Sequence, residues 1–239
     1  CERLVGVDRY SDWPASVKKL PVVGGGLDPS VESVVALKPD VVLLSDASKA
    51  AERLQALGLK VVALDVKSKA DIHRVLGTLG QLMGVPQAQG ADRVWRALES
   101  GIEAVVRDLP ERTRHTRVYF EVSRGPYAAG PQSFIGETLT QLGVDNVVPA
   151  ELGPFPRLSP EFLLRAQPDV IMLGNRSMQA ATSYPGWNNL QAVKAGRVCV
   201  FTDEESFAIV RPGPRMAQAA ALMARCLAEK APGKAAGAR

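Results

Sequence analysis

Histidine occurs only twice in 239 residues, cysteine three times, and aromatic residues make up 5% of the chain. Each shortage removes a class of function. A site for bare zinc or manganese wants about four nitrogen, oxygen or sulfur ligands, usually with several histidines among them. His73 falls on an expected helix and His115 in a charged connector, so both read as surface residues and no metal site is expected. Three cysteines cannot form a complete disulfide framework. Cys199, in an apolar strand-like run, and Cys226, in a terminal helix, are read as buried free thiols. No apolar run approaches the roughly 18 residues of a membrane helix. The formal charge is +4, with basic residues scattered rather than blocked among aromatics, so nucleic acid is not an expected partner. No Gly-x-Ser-x-Gly elbow is present, and no nucleophile–histidine pair can be read. Gly24-Gly25-Gly26 is not followed by Gly-Lys-Ser/Thr, so it is a turn rather than a phosphate loop. Together these absences argue against an enzyme, and no catalytic residue is assigned.

The chain is rich in valine, leucine and alanine, in short runs bounded by turn residues, the pattern of buried parallel strands. Strands are expected at Leu4–Val7, Val41–Leu44, Val61–Leu64, Arg117–Val122, Val170–Leu173 and Val198–Phe201. Helices are expected from Ser30, near Ala47, over Asp71–Met83, Ser133–Leu142 and Trp187–Lys194, and from about Pro214 to Glu229. Between the two α/β stretches, Ala91, Val94, Trp95, Leu98, Ile102, Val105, Val106 and Leu109 keep to one helical face. Pro86 can open that helix and Pro110 closes it, giving a rod of roughly 35 Å at about 1.5 Å per residue. The expected fold is therefore α/β: two lobes with short, mostly parallel sheets joined by one long backbone helix. The divisions are an N-terminal lobe at 1–85, the helix at 86–110, a C-terminal lobe at 111–230 and a flexible tail at 231–239.

One stretch recurs. Ser30–Val42 and Ser159–Ile171 align without a gap, matching at Ser30/Ser159, Glu32/Glu161, Pro39/Pro168, Asp40/Asp169 and Val41/Val170. Each copy reads as a capped helix, a Pro-Asp turn and a buried strand. Serine caps the helix, the acid two residues on meets its positive end, and proline stops it. On one copy, capping is explanation enough. Two copies placed alike imply a duplicated unit with Glu32 and Glu161 in equivalent places, suited to grip a two-fold partner that carries arginines.

The chain also resembles the binding proteins for cobalamin, haem and ferric siderophores that serve ABC importers, the class with a helical backbone between its lobes. The likeness is carried by Val7-Asp8-Arg9-Tyr10-Ser11-Asp12-Trp13-Pro14, Val22-Val23-Gly24-Gly25-Gly26, Tyr127-Ala128-Ala129-Gly130, Phe134-Ile135-Gly136-Glu137, the two repeat segments and Arg211-Pro212-Gly213-Pro214-Arg215. These extend over nearly the whole chain in family order and stand nearest the cobalamin-binding subclass. The resemblance implies a monomeric carrier in the periplasm, with Cys1 a candidate lipid site. It implies no resident cofactor, a metal chelate as ligand, and an ABC permease dimer docked through Glu32 and Glu161. Ligand contacts are expected from Tyr10, Trp13, Gly25, Tyr127, Phe134, Phe207 and Arg211, with Glu205–Ile209 a loop near the ligand. A corrinoid is the leading ligand, haem or a ferric siderophore the alternative. A cofactor-scaffold or enzyme subunit on the same two-lobe plan is the rival of another class. The chain departs from the family in two ways. Typical members carry one more strand and helix before the first segment, so the first lobe is expected to lack that pair. Cobalamin binders place tryptophans where this chain has Gly24-Gly25-Gly26 and Ser45.

Overall fold

The computed structural model describes residues 3–232. Cys1 and most of the expected tail, from 233 onward, lie outside the described residues. The chain divides into two compact units, Cys1–Asp65 and Val66–Arg239. The division falls before the expected boundary at 85, because the helix Lys69–Leu82 packs with the second unit.

The first unit holds α1 (Val31–Ala36), β1 (Val42–Ser45), α2 (Ala51–Ala56) and β2 (Val61–Leu64). β1 and β2 pair in parallel from Val42↔Val61 to Ser45↔Leu64. Val31, Val34, Ala50 and Leu54 are buried against Val42, Leu44 and Val61, so both helices cover one sheet face. The strand expected at Leu4–Val7 is not formed; Val7 makes an isolated parallel bridge to Val22.

The second unit begins with α3 (Lys69–Leu82) and α4 (Ala91–Asp108). α4 is the amphipathic helix read from the sequence, but its 18 residues span about 27 Å rather than roughly 35 Å. Residues 86–90 form a turn instead, with the Gly90 N–H donating to the Pro86 carbonyl at 2.9 Å. That stretch offers no large apolar side chain to hold a helix, and Gly90 adopts a non-helical conformation. Leu98 and Ile102 of α4 are buried, and Lys69 of α3 pairs with Glu99 of α4 at 2.6 Å.

There follow β3 (Arg117–Ser123), β4 (Tyr127–Ala128), α5 (Phe134–Gln141), β5 (Asp145–Asn146), α6 (Pro160–Ala166), β6 (Val170–Gly174), α7 (Asn175–Ala181), α8 (Gln191–Lys194), β7 (Val198–Phe201), α9 (Asp203–Val210) and α10 (Met216–Lys230). The sheet runs β4-β3-β6-β7, with β5 also beside β3; every pairing but β3–β4 is parallel. Its side chains alternate between two cores. Val118, Phe120, Val170 and Met172 join one core with α4, α5 and α10; Tyr119, Ile171 and Leu173 join the other with Trp187 and Leu190. Both faces are covered, which is why β6 is apolar throughout.

The echo is structural as well as sequential. Ser30 and Ser159 each accept a hydrogen bond from the backbone N–H three residues on, at 3.1 and 3.2 Å. Lys38 and Gln167, each just before a proline, adopt the left-handed region with φ of 48° and 42°. Val42 and Ile171 each donate to the residue before the next parallel strand, Lys60 at 2.8 Å and Arg197 at 3.0 Å. Helix, left-handed turn and strand are thus the same device in both units.

The expectation of free thiols is corrected. Cys199 and Cys226 form a disulfide between β7 and α10, across a sequence separation of 27. Packing α10 on the sheet makes Cys199 and Cys226 neighbours, which spacing alone did not reveal. Closing a loop of that size removes denatured-state entropy worth about 3–4 kcal/mol. Cys226→Ala should therefore lower unfolding stability by about 2–4 kcal/mol in non-reducing denaturant titrations. Reductant should destabilise the parent and leave the variant unchanged; equal stability of both proteins would count against the bond.

Candidate functional site

In the first unit, Tyr10, Trp13 and Gly25 line one cavity of about 750 Å³, whose walls also include Val7, Val34 and Leu43. Tyr10 and Trp13 are 58% and 51% exposed. Their loop is tied down by backbone and carboxylate bonds: Arg9 N–H donates to the Gly24 carbonyl at 2.8 Å, and Asp8 accepts from the Tyr10 N–H at 3.1 Å and the Ser11 hydroxyl at 2.7 Å. The glycine run is needed for this approach. Gly24 has φ of 114°, and a Cβ there would stand 2.9 Å from the Ser30 nitrogen. A Cβ on Gly25 would meet only the movable Asp28 carboxylate. Gly24 is therefore the more constrained of the two, although the sequence singled out Gly25.

In the second unit, the candidates lie along the carboxyl ends of the parallel strands. Tyr127 is exposed at the end of the β3–β4 hairpin, where it bridges to Arg157. Phe134 is corrected: it is 4% exposed in the main core with its ring edge-on to Phe155, so it packs and does not face a ligand. Glu205–Ile209 is not a loop but part of α9, started by Thr202, which forms a reciprocal cap with Glu205. The Thr-x-x-Glu spacing is itself a sequence signal for that cap. Phe207 sits on this helix, with the Arg211 guanidinium 4.2 Å and that of Arg176 5.7 Å from its ring centroid. Arg176, at the start of α7 beyond β6, was missed; the rule that sites gather past the carboxyl ends of parallel strands would have pointed to it.

A second omission is Glu121, on β3 beside this edge and 1% exposed. It accepts hydrogen bonds from Tyr119 at 3.3 Å and Tyr184 at 3.1 Å, and Ser177 also bonds to it. The Tyr184 hydroxyl in turn accepts the Gly125 N–H at 3.2 Å, and Arg157 donates to the Gly125 carbonyl at 2.6 Å. The network thus seats the hairpin that carries Tyr127. Burial raises the Glu121 carboxyl from 4.5 to about 7, against the opposing pull of its three hydroxyl partners.

Glu32 and Glu161 are exposed, each in the first turn of its serine-capped helix. Their own backbone N–H groups and the capping serines hold both carboxyls below the usual range. Arg53 stands 4.0 Å from Glu32, and Arg165 adds charge beside Glu161. Both acids are thus ionised at neutral pH and turned to solvent. His73 stacks on Trp95, with centroids 4.9 Å apart, while His115 lies near Asp145. Among the described residues, no group of three histidine, cysteine, aspartate or glutamate side chains could hold a metal ion. No described helix is long and apolar enough to cross a membrane.

The family model for "Periplasmic binding protein" matches residues 2–205. The chain belongs to this family. Among relatives, it is 28% identical over 236 residues to the vitamin B12-binding protein of Pectobacterium atrosepticum, covering 95% of this chain and 82% of that one. It is 26% identical over 230 residues to the ABC transporter substrate-binding lipoprotein YvrC of Bacillus subtilis, covering 90% of this chain and 70% of that one. Among solved structures, the periplasmic heme-binding protein BhuT, in complex with two hemes, superposes with a TM-score of 0.79 at 22% identity, over 96% of this chain and 90% of that one. In this periplasmic binding protein, Tyr127 and Arg176 stand on the segments that leave the strand ends, where the ligand contacts were expected.

The Glu121 carboxyl makes stability depend on pH with a definite sign. In the unfolded chain it ionises near 4.5, whereas the folded chain keeps the proton to about 7. Between those values the folded state binds more protons, so this group's contribution falls as pH rises and is fully lost above the folded value. Glu121→Gln should therefore gain on the parent between pH 5 and pH 8 by about 2–3 kcal/mol. Denaturant titrations at both pH values test this; parallel pH profiles for parent and variant would show that Glu121 is ionised throughout.

Proposed function

We propose that this periplasmic binding protein captures a bulky metal chelate, a corrinoid such as cobalamin in the first instance, and delivers it to an ABC permease. The observation that carries the reading is the repeated capped glutamate. Glu32 and Glu161 occupy the same place in two copies of one helix–turn–strand device, ionised and exposed. Capping alone needs no acid at this position, since Ser30 and Ser159 already serve it. A pair of equivalent carboxylates suits a two-fold partner with arginines, as each charge-assisted contact is strong and directional.

The ligand half of the proposal is supported by the exposed Tyr10 and Trp13 on a cavity of about 750 Å³, and by Phe207 and Tyr127 in the second unit. Rigid aromatics offer broad contact to a flat ligand at low entropic cost. Relatives named vitamin B12-binding proteins favour the corrinoid. Haem is the second reading, favoured by the fold match to a heme-binding protein and by Gly24-Gly25-Gly26 and Ser45 at the positions of the subclass tryptophans. The delivery site is the periplasm.

Titration calorimetry with cobalamin, cobinamide, haem and a ferric siderophore should give one-site binding to at least one of them. Tyr10→Ala should weaken that binding by about 1–2 kcal/mol. Failure of the full chain to bind any of the four would end the chelate reading. Docking has its own test. Glu32→Gln with Glu161→Gln should leave ligand affinity near normal, but weaken complex formation with the permease in nanodiscs and reduce uptake. The double change should exceed either single change, because two tethered contacts reinforce each other. A double variant that docks and transports like the parent would leave the two acids as helix-end charges only.

A further inference from the structure

Three arginines stand past the carboxyl ends of the second unit's parallel strands. Arg124 follows β3, Arg176 follows β6 at the start of α7, and Arg211 ends α9, the helix after β7. β3 and β6 are neighbours from which the chain departs in opposite directions, to β5 on one side and β7 on the other. Open parallel sheets bind ligands outside such a switch point. The arginines therefore lie where a ligand of this unit would sit.

Their arrangement is specific. Both Arg211 and Arg176 lie over the Phe207 ring, at 4.2 and 5.7 Å from its centroid. Arg176 is fixed by Asp203, one oxygen of which accepts from Nε at 3.1 Å and from Nη2 at 3.0 Å. The Arg176 side chain nonetheless stays 63% exposed. Arg124 is exposed, with no ion-pair partner among the described residues. Bracing α7 to α9 would need only the Arg176–Asp203 pair and gives no reason for a second guanidinium on the same ring.

Net charge is not what this rim offers. Asp203 and Glu204, in the first turn of α9, offset much of the positive excess. Long-range attraction is accordingly weak, and selectivity must come from directed contacts. A guanidinium stacked on an aromatic ring spends its face there, while its N–H donors lie in its own plane. That planar fork matches the two oxygens of a carboxylate or phosphate, which a lysine cannot do.

We propose that this rim recognises an acidic group, a carboxylate or phosphate, on the periphery of a flat chelate. Phe207 meets the ring system, and Arg176 and Arg211 take the acid, with Asp203 holding Arg176 in position. The inference rests on the carrier reading and narrows it, from any bulky chelate to one that bears an acid.

Two matched pairs test it with the full chain: haem against its dimethyl ester, and cobalamin, which carries a phosphodiester, against cobinamide, which does not. Affinities are read by absorption titration. In the pair that binds, the acid-bearing member should be tighter by about tenfold or more. Arg176→Met and Arg211→Met should remove that advantage and leave the masked member within about twofold. Arg176→Lys should fail to restore it, because charge without the fork is insufficient. Arg107→Met, on the exposed side of α4, is the control for a generic loss of charge, and thermal melts check folding. Equal affinity within both pairs overturns the inference and leaves the carrier reading standing, as does an equal loss for both members in the variants. Rescue by lysine overturns forked recognition. If no member of either pair binds, the carrier reading falls and takes the inference with it.

Discussion

A parallel sheet cannot leave a face in water, and the second unit is arranged around that requirement. β6 is buried from end to end, and β3 is buried along its middle. Their alternate side chains feed two separate cores, one closed by α4, α5 and α10, the other by Trp187, Leu190 and their neighbours. With both faces occupied, the only sheet surface left for chemistry is its ends. The carboxyl end then gathers the loops and helix starts after β3, β6 and β7, which is how Tyr127, Arg176, Phe207 and Arg211 come to share one rim. The disulfide between Cys199 and Cys226 ties β7 to α10 on the larger core, and suits a protein that works in an oxidising compartment.

Glu121 is the one acid admitted to this interior. An ionised carboxylate there, without a cation, would be costly to desolvate. The structure meets the cost with three hydroxyl partners and a retained proton rather than with an ion pair. The consequence is mechanical: Glu121 and Tyr184 fix the Gly125 turn, and the turn fixes Tyr127. A residue at the rim is therefore positioned from beneath the sheet, through a group whose charge is tuned by burial.

The duplicated device relates the two units without making them alike. Each copy stops its helix with a left-handed residue before proline, a conformation that costs about 1–2 kcal/mol for a side chain other than glycine. Lys38 and Gln167 both accept that cost, which argues that the sharp exit from helix to strand is what the turn must supply. Around this common element the sheets differ, two strands in the first unit and five in the second. The shared part sets the two exposed glutamates, and the divergent parts set the rims.

Much of the local structure was legible from residues near one another. Serine caps and Pro-Asp turns located α1, α6 and the strands after them, because a cap and its hydrogen bond lie within three residues. The apolar stripe located α4, because its period is that of the helix, though it could not show that Gly90 begins the helix late. The resemblance, carried by motifs spread along the chain, found the family that the match over residues 2–205 shows. Other features were decided only when distant segments met. Cys199 and Cys226 became a bond because α10 packs on β7; Phe134 went inward because Phe155 closes over it; Glu121 was protonated because Tyr119, Tyr184 and two covered faces exclude water. Arg176 joined Phe207 and Arg211 because β6 and β7 are adjacent in space, though α7 and α8 separate them in sequence. Capping and periodicity are written in short-range hydrogen bonds and repeats, which sequence carries. Burial, pairing and proton affinity depend on what the rest of the fold brings near, and only the tertiary structure supplies that.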